Sequence, residues 1–172
     1  MLQVSQKAVD SFTGLFAAKL NPGVRENIIS KLSYTHYADD PAGFCTDVLG
    51  ETLTGDVIAM MESVRDHVVT LAVSSNAVGK SHGAARVAVW FYLSHEDCKV
   101  FTAAAPPYTN LKNILWGEIG SVVARHKDMF RAHAVTSLDI RRGPEDFLTG
   151  VSIPASGTPK EREAKFSGKH QK

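Results

Sequence analysis

The sequence predicts an α/β domain in which a parallel sheet is flanked by helices. Two short β-rich apolar runs, HVVTLAV at 67–73 and KVFTAAA at 99–105, are each followed by a longer stretch with helical placement of its apolar residues. The first run enters its helix through SSNAVGKS at 74–81, a turn rich in small and polar residues. Hydrophobic residues make up 44% of the chain and charged residues 22%, a balance that supports a buried core and departs from the composition of disordered chains.

Taken in order, Val4, Ala8, Phe12, Leu15 and Phe16 recur at roughly helical spacing, and Asn21-Pro22-Gly23 ends the pattern. Residues 34–55 mix isolated apolar residues with turn residues and read as an irregular lead-in. Helical periodicity resumes at 56–66, and the run at 67–73 reads as a buried strand. The segment 81–93 has almost no polar face, which predicts a helix buried on most sides. The run at 99–105 reads as a second buried strand, broken at Pro106-Pro107, and an amphipathic helix follows through Leu111, Ile114, Leu115, Ile119, Val122 and Val123. Residues 134–141 and 147–154 read as two β segments separated by RGPED, a hairpin or sheet-edge pair. Residues 159–172 are rich in Lys and predict an exposed, flexible tail. The chain thus divides into a helical lead-in (1–66), a core (67–158) and a segment at 159–172 that is either an exposed basic tail or a truncated lead-in to a further strand. Segments 68–73 and 99–104 are expected to lie parallel in one sheet, with the 81–93 helix forming a right-handed crossover.

Nineteen Lys plus Arg stand against eighteen Asp plus Glu, so overall charge selects no nucleic-acid, membrane or acidic partner. Cys45 and Cys98 lie far apart, outside any CxxC pair, and predict reduced thiols in the cytoplasm. No apolar run reaches the roughly 18 residues of a membrane span, and the first residues lack the pattern of a secretory signal.

The chemistry concentrates in the turn. A tight loop between a strand and a helix surrounds a nucleotide's phosphates with backbone N–H donors at the positive end of the helix. Here Gly79 lets the backbone approach closely, Lys80 places its ammonium against the β- and γ-phosphates, and Ser81 offers a hydroxyl to Mg²⁺, the roles that G-K-[ST] spacing provides. Ser75, Asn76, Ala77, Val78 and His82 complete the expected phosphate cradle. The strict pattern opens with Gly where this chain has Ser74, so Asn76, which tolerates left-handed backbone, is assigned part of the turn geometry.

With these residues in view, the chain resembles the ATPase domain of tailed-bacteriophage terminase large subunits, which are DNA-packaging motors. The resemblance rests on VSSNAVGKSHGAARVAVWFYL, on VFTAAAPPYTNLKNILWGEI and on the lead-in YADDPAGFCTDVLGETLTGD. It implies a P-loop NTPase fold of RecA/ASCE-like type, incomplete at the C-terminus, with ATP and Mg²⁺ bound and Lys80 as the catalytic lysine. It further implies double-stranded DNA, the portal and the small terminase subunit as partners of the complete protein, homo-oligomerisation in the motor, no membrane, and the host cytoplasm as location. The family often has an adenine-contacting glutamine shortly after a Leu-Thr pair. Here Leu53-Thr54 is followed by Gly55-Asp56, and a carboxylate lacks the amide's donor. The family's next apolar strand, ending in Asp-Glu, has no counterpart among the 172 residues, so the chain alone is expected to turn ATP over poorly. A helicase-like P-loop ATPase fragment and a non-catalytic nucleotide-binding or interaction module are the alternatives.

Other candidates carry less chemistry. The seven histidines show no HExxH or paired-Cys spacing and read as structural or surface residues. Arg86, one turn beyond Ser81, is better placed to pair with an acid or to point to solvent than to act as an arginine finger. Arg125, Lys127 and Arg131, and also Arg141 and Arg142, form basic clusters of the kind that usually face solvent. Trp116 reads as a packing residue.

Overall fold

The structure is a computed structural model that describes residues 34–73, 79–105, 107–152, 158, 160 and 161. The helix expected over 4–20 lies outside the described residues, as does most of the tail. Thr158 and Glu161 cap one another, the Thr158 N–H donating to Glu161 Oε2 at 2.8 Å and the Glu161 N–H to Thr158 Oγ1 at 3.3 Å.

The lead-in is more regular than its turn-rich sequence predicts. A 3₁₀ turn at Thr35–Tyr37 precedes helix α1, Pro41–Gly43, which widens into a π-helical stretch at Phe44–Val48. Asp40 caps α1, accepting the Gly43 N–H at 2.8 Å, and Pro41 fits the first position because its missing N–H is not needed there. Phe44 and Cys45 are fully buried, and Tyr34 and Tyr37 meet the Phe44 ring edge-on. Residues read as turn formers therefore act as caps. Helix α2, Gly55–Asp66, follows as expected and buries Val57 and Met61.

Helix α3, Lys80–Ser94, is the central element and is buried along most of its length. It approaches α2 closely because Gly83 has no side chain: a Cβ there would stand 2.5 Å from Met60 Cε. Trp90 anchors α3 to the lead-in, its indole N–H donating to the Tyr37 carbonyl at 2.7 Å.

Strand β1, Lys99–Ala104, leads through a π-helical turn at Asn110–Leu115 into helix α4, Trp116–Arg125, and then a 3₁₀ turn at Lys127–Phe130. The π turn shifts the buried face. Ile114 is half exposed, whereas Leu111, Trp116, Ile119 and Val122 point inward, because a wider turn displaces the 3.6-residue pattern. Strands β2 (Ala134–Thr136), β3 (Asp139–Arg141) and β4 (Phe147–Ser152) complete a mixed four-stranded sheet of order β1-β4-β3-β2. β1 pairs parallel with β4, bringing Thr102 opposite Gly150, while β4 with β3 and β3 with β2 are antiparallel. Ile140 and Leu148 are fully buried in the core shared with the helices. No helix among the described residues is long and apolar enough to cross a membrane.

Three β expectations need correction. Residues 67–73 form no strand: Val68, Val69, Leu71 and Val73 are 81–104% exposed, and the parallel partner of β1 is β4. An apolar β-prone run identifies itself by composition, but a strand exists only with a hydrogen-bonded neighbour, and none of the described strands pairs with it. β1 lies at the sheet edge, so within it only Thr102 is buried. The segment 134–141 is a hairpin of two short strands, and the expected pairing across RGPED is that of β3 with β4.

Candidate functional site

The turn into α3 is set by Gly79, whose φ of +87° and ψ of 12° place it in the left-handed region. That conformation costs an L side chain about 1–2 kcal/mol, so glycine is the residue that fits. The role assigned to Asn76 falls outside the described residues. Among the described residues no side chain caps α3, and Gly79 at the cap position lacks the acceptor that a Ser, Thr, Asp or Asn there supplies. Lys80 and Ser81 are half-buried. Ser75, Asn76, Ala77 and Val78 lie outside the described residues.

A cleft of about 310 Å³ opens beside this turn. Asp56, Val57, Ala59 and Met60 of α2 line one side, and Ala72, Val73, Gly79 and Lys80 line the other. The exposed segment before the loop and the start of α3 therefore share a single concavity with α2. Asp56 stands in its wall.

On the other flank of the turn lies a charged network. Arg86 is 2% exposed and forks onto Glu51, with Nε to Oε2 and Nη2 to Oε1 each at 2.8 Å, and its Nη1 reaches Glu118 Oε2 at 2.7 Å. Arg125 of α4 adds a second guanidinium to Glu51 at 2.5 Å. His82 lies between the carboxylates, Nε2 at 3.5 Å from Glu51 Oε2 and Nδ1 at 3.5 Å from Glu118 Oε2. Burial alone would raise the Glu51 carboxyl, but hydrogen bonds and charge from Arg86 and Arg125 outweigh it and hold it down at about 2. Of the two roles expected for Arg86, pairing with an acid or pointing to solvent, the structure shows the first. Glu51 itself was not legible. The available signal was the buried guanidinium, which must find a carboxylate but does not say which one.

The remaining candidates are structural. Trp116 is 5% exposed and donates to Thr102 Oγ1 at 2.9 Å. Arg142, expected at a solvated face, is buried. It donates to the carbonyls of Tyr92 and His95 and to Asp146 Oδ1, while its Nε and Asp146 Oδ2 lie 2.8 Å apart without the alignment of a hydrogen bond. Arg141 pairs with Asp139 and covers the Phe147 ring, and Arg131 pairs with Asp128. Cys45 and Cys98 are buried thiols, each pushed up to about 12 chiefly by burial. Among the described residues no three His, Cys, Asp or Glu side chains gather as a metal-binding set. Of the acids Glu118, Asp139 and Asp146, Glu118 alone joins the network at the start of α3.

No family model, curated protein or solved structure matches this chain.

Proposed function

We propose that this chain binds Mg²⁺–ATP through the turn at 79–82, as the ATP-binding part of a DNA-packaging motor of the terminase large-subunit kind. The observation that carries the reading is the left-handed Gly79 opening a long buried helix directly at Lys80 and Ser81, beside a cleft in whose wall Lys80 stands. A helix start presents N–H groups and the positive end of the helix dipole, which favours a polyphosphate. Lys80 adds a full positive charge at the same place.

The neighbouring network contains two carboxylates and two guanidiniums, Glu51 and Glu118 with Arg86 and Arg125, so its charges largely balance. Mg²⁺ fits a site with few protein ligands, since it keeps several waters and takes oxygens from the substrate's phosphates. Ser81 would supply one protein oxygen, and the ion's chemistry there is to neutralise phosphate charge. Burial of Trp90 and Tyr92 anchors α3 in the core. In the complete motor, hydrolysis would drive double-stranded DNA through the portal, with the small terminase subunit as partner; the sequence resemblance supports this part of the proposal.

The test is a calorimetric series of ATP, ADP, AMP and adenosine, with Mg²⁺ present. Recognition through phosphates requires ATP and ADP to bind at least tenfold more tightly than AMP and adenosine. Equal affinities along the series, or no binding of any member, would refute the reading.

A further inference from the structure

The network beside the phosphate turn is held unequally at its two acids. Glu51 is 10% exposed and is gripped by Arg86 through two bonds and by Arg125 through a third. Glu118 is 39% exposed; one Arg86 bond holds it, and the His82 ring stands 3.5 Å away. His82 follows Ser81 directly, in the first turn of α3, and its ring spans the two acids. If phosphate occupies the turn as proposed above, negative charge arrives next to His82 and competes with both carboxylates for the imidazole. Over a few ångströms that competition is barely screened by salt, because the Debye length is about 8 Å. The network then yields at its weakly held, exposed member.

We propose that Glu118 is a positioning residue that transmits occupancy of the phosphate turn to α4. Arg86 reaches from α3 to α4 through Glu118, and Arg125 returns from α4 to Glu51, so a change at Glu118 alters how α4 sits on α3. Two residues before Glu118, Trp116 is tied to Thr102 of β1 and packs against Gly150 of β4, where a Cβ would stand 2.7 Å from its Nε1. A shift of α4 therefore changes the surroundings of this indole. The proposal rests on nucleotide binding at the turn, and its test separates the two.

The chain is labelled with 5-fluorotryptophan, which gives fluorine signals for Trp90 and Trp116 that a Trp90→Phe variant assigns. Mg²⁺–ADP and Mg²⁺–ATP are then titrated, with binding followed in parallel by calorimetry. The expected result is a shift of the Trp116 signal at saturation in the wild type and its loss in Glu118→Gln, which still binds nucleotide. Glu118→Ala, the second variant should the first fail to fold, is also expected to bind nucleotide and lose the shift. Calorimetric binding without a Trp116 shift in the wild type overturns this inference alone, as does a shift of wild-type size in either folded variant. Absence of nucleotide binding in the wild type overturns the binding reading and this inference with it.

Discussion

Arg86 and Glu51, 35 residues apart in sequence, meet in a two-pronged ion pair with both bonds at 2.8 Å and the guanidinium 2% exposed. Replacing one member of a buried pair leaves the other charged, desolvated and without its partner, which costs about 3–5 kcal/mol. Arg86→Ala is expected to lose stability on that scale in urea denaturation, although Arg125 still reaches Glu51. Arg86→Lys should recover only part, since an ammonium cannot reproduce the fork. A loss below about 1 kcal/mol for Arg86→Ala would mean that the pair is solvated.

His133 gives the fold an acid limit. The ring is 8% exposed with neither nitrogen hydrogen-bonded, and burial, reinforced by the Arg142 charge, lowers it to about 4, against 6.5 for an ordinary histidine. Between those values the unfolded chain takes up a proton that the folded chain refuses. Full stability therefore holds above pH 6.5 and declines as pH falls, by roughly 3 kcal/mol at pH 4. Glu51, with its folded value at about 2 against 4.5 unfolded, adds a further loss below pH 4.5. Urea midpoints from pH 7 to 4 should fall steeply in the wild type and much less in His133→Leu. Identical slopes would contradict the assignment.

Gly150 is a close contact between sheet and helix. A Cβ there would meet Trp116 Nε1 at 2.7 Å and Leu138 Cβ at 3.3 Å. Gly150→Ala should displace the indole, break its bond to Thr102 and cost about 1–3 kcal/mol, the usual range for overpacking. Thermal melts together with the Trp116 fluorine signal check this. An unchanged melting temperature would show that α4 moves aside freely.

The helices were more legible than the sheet. The apolar pattern of 81–93 located α3 to within a residue at each end, and the periodicity at 56–66 located α2, because a helix carries its hydrogen bonds within itself. A strand depends on a partner that its own residues do not name. Thus 67–73 reads as β in isolation yet is exposed, whereas Phe147–Ser152 takes the place beside β1 that the crossover pattern assigned to it. At the candidate site, spacing singled out Gly79, Lys80, Ser81 and His82, and the structure shows Gly79 in the left-handed region at the start of α3. Asp56 in the cleft wall and Glu51 opposite Arg86 came into view through the packing of α2 and the lead-in on α3, which no local pattern encodes.

The most direct test of the central claim is the affinity of Mg²⁺–ADP for the wild type and for Lys80→Ala, measured by calorimetry with circular dichroism confirming that the fold is intact. A charge-assisted contact to phosphate is worth about 1.5–3 kcal/mol, so the account predicts an affinity loss of roughly tenfold or more in Lys80→Ala. Clear binding of equal strength in both proteins would contradict it, because the nucleotide would then be held somewhere other than the turn that opens α3.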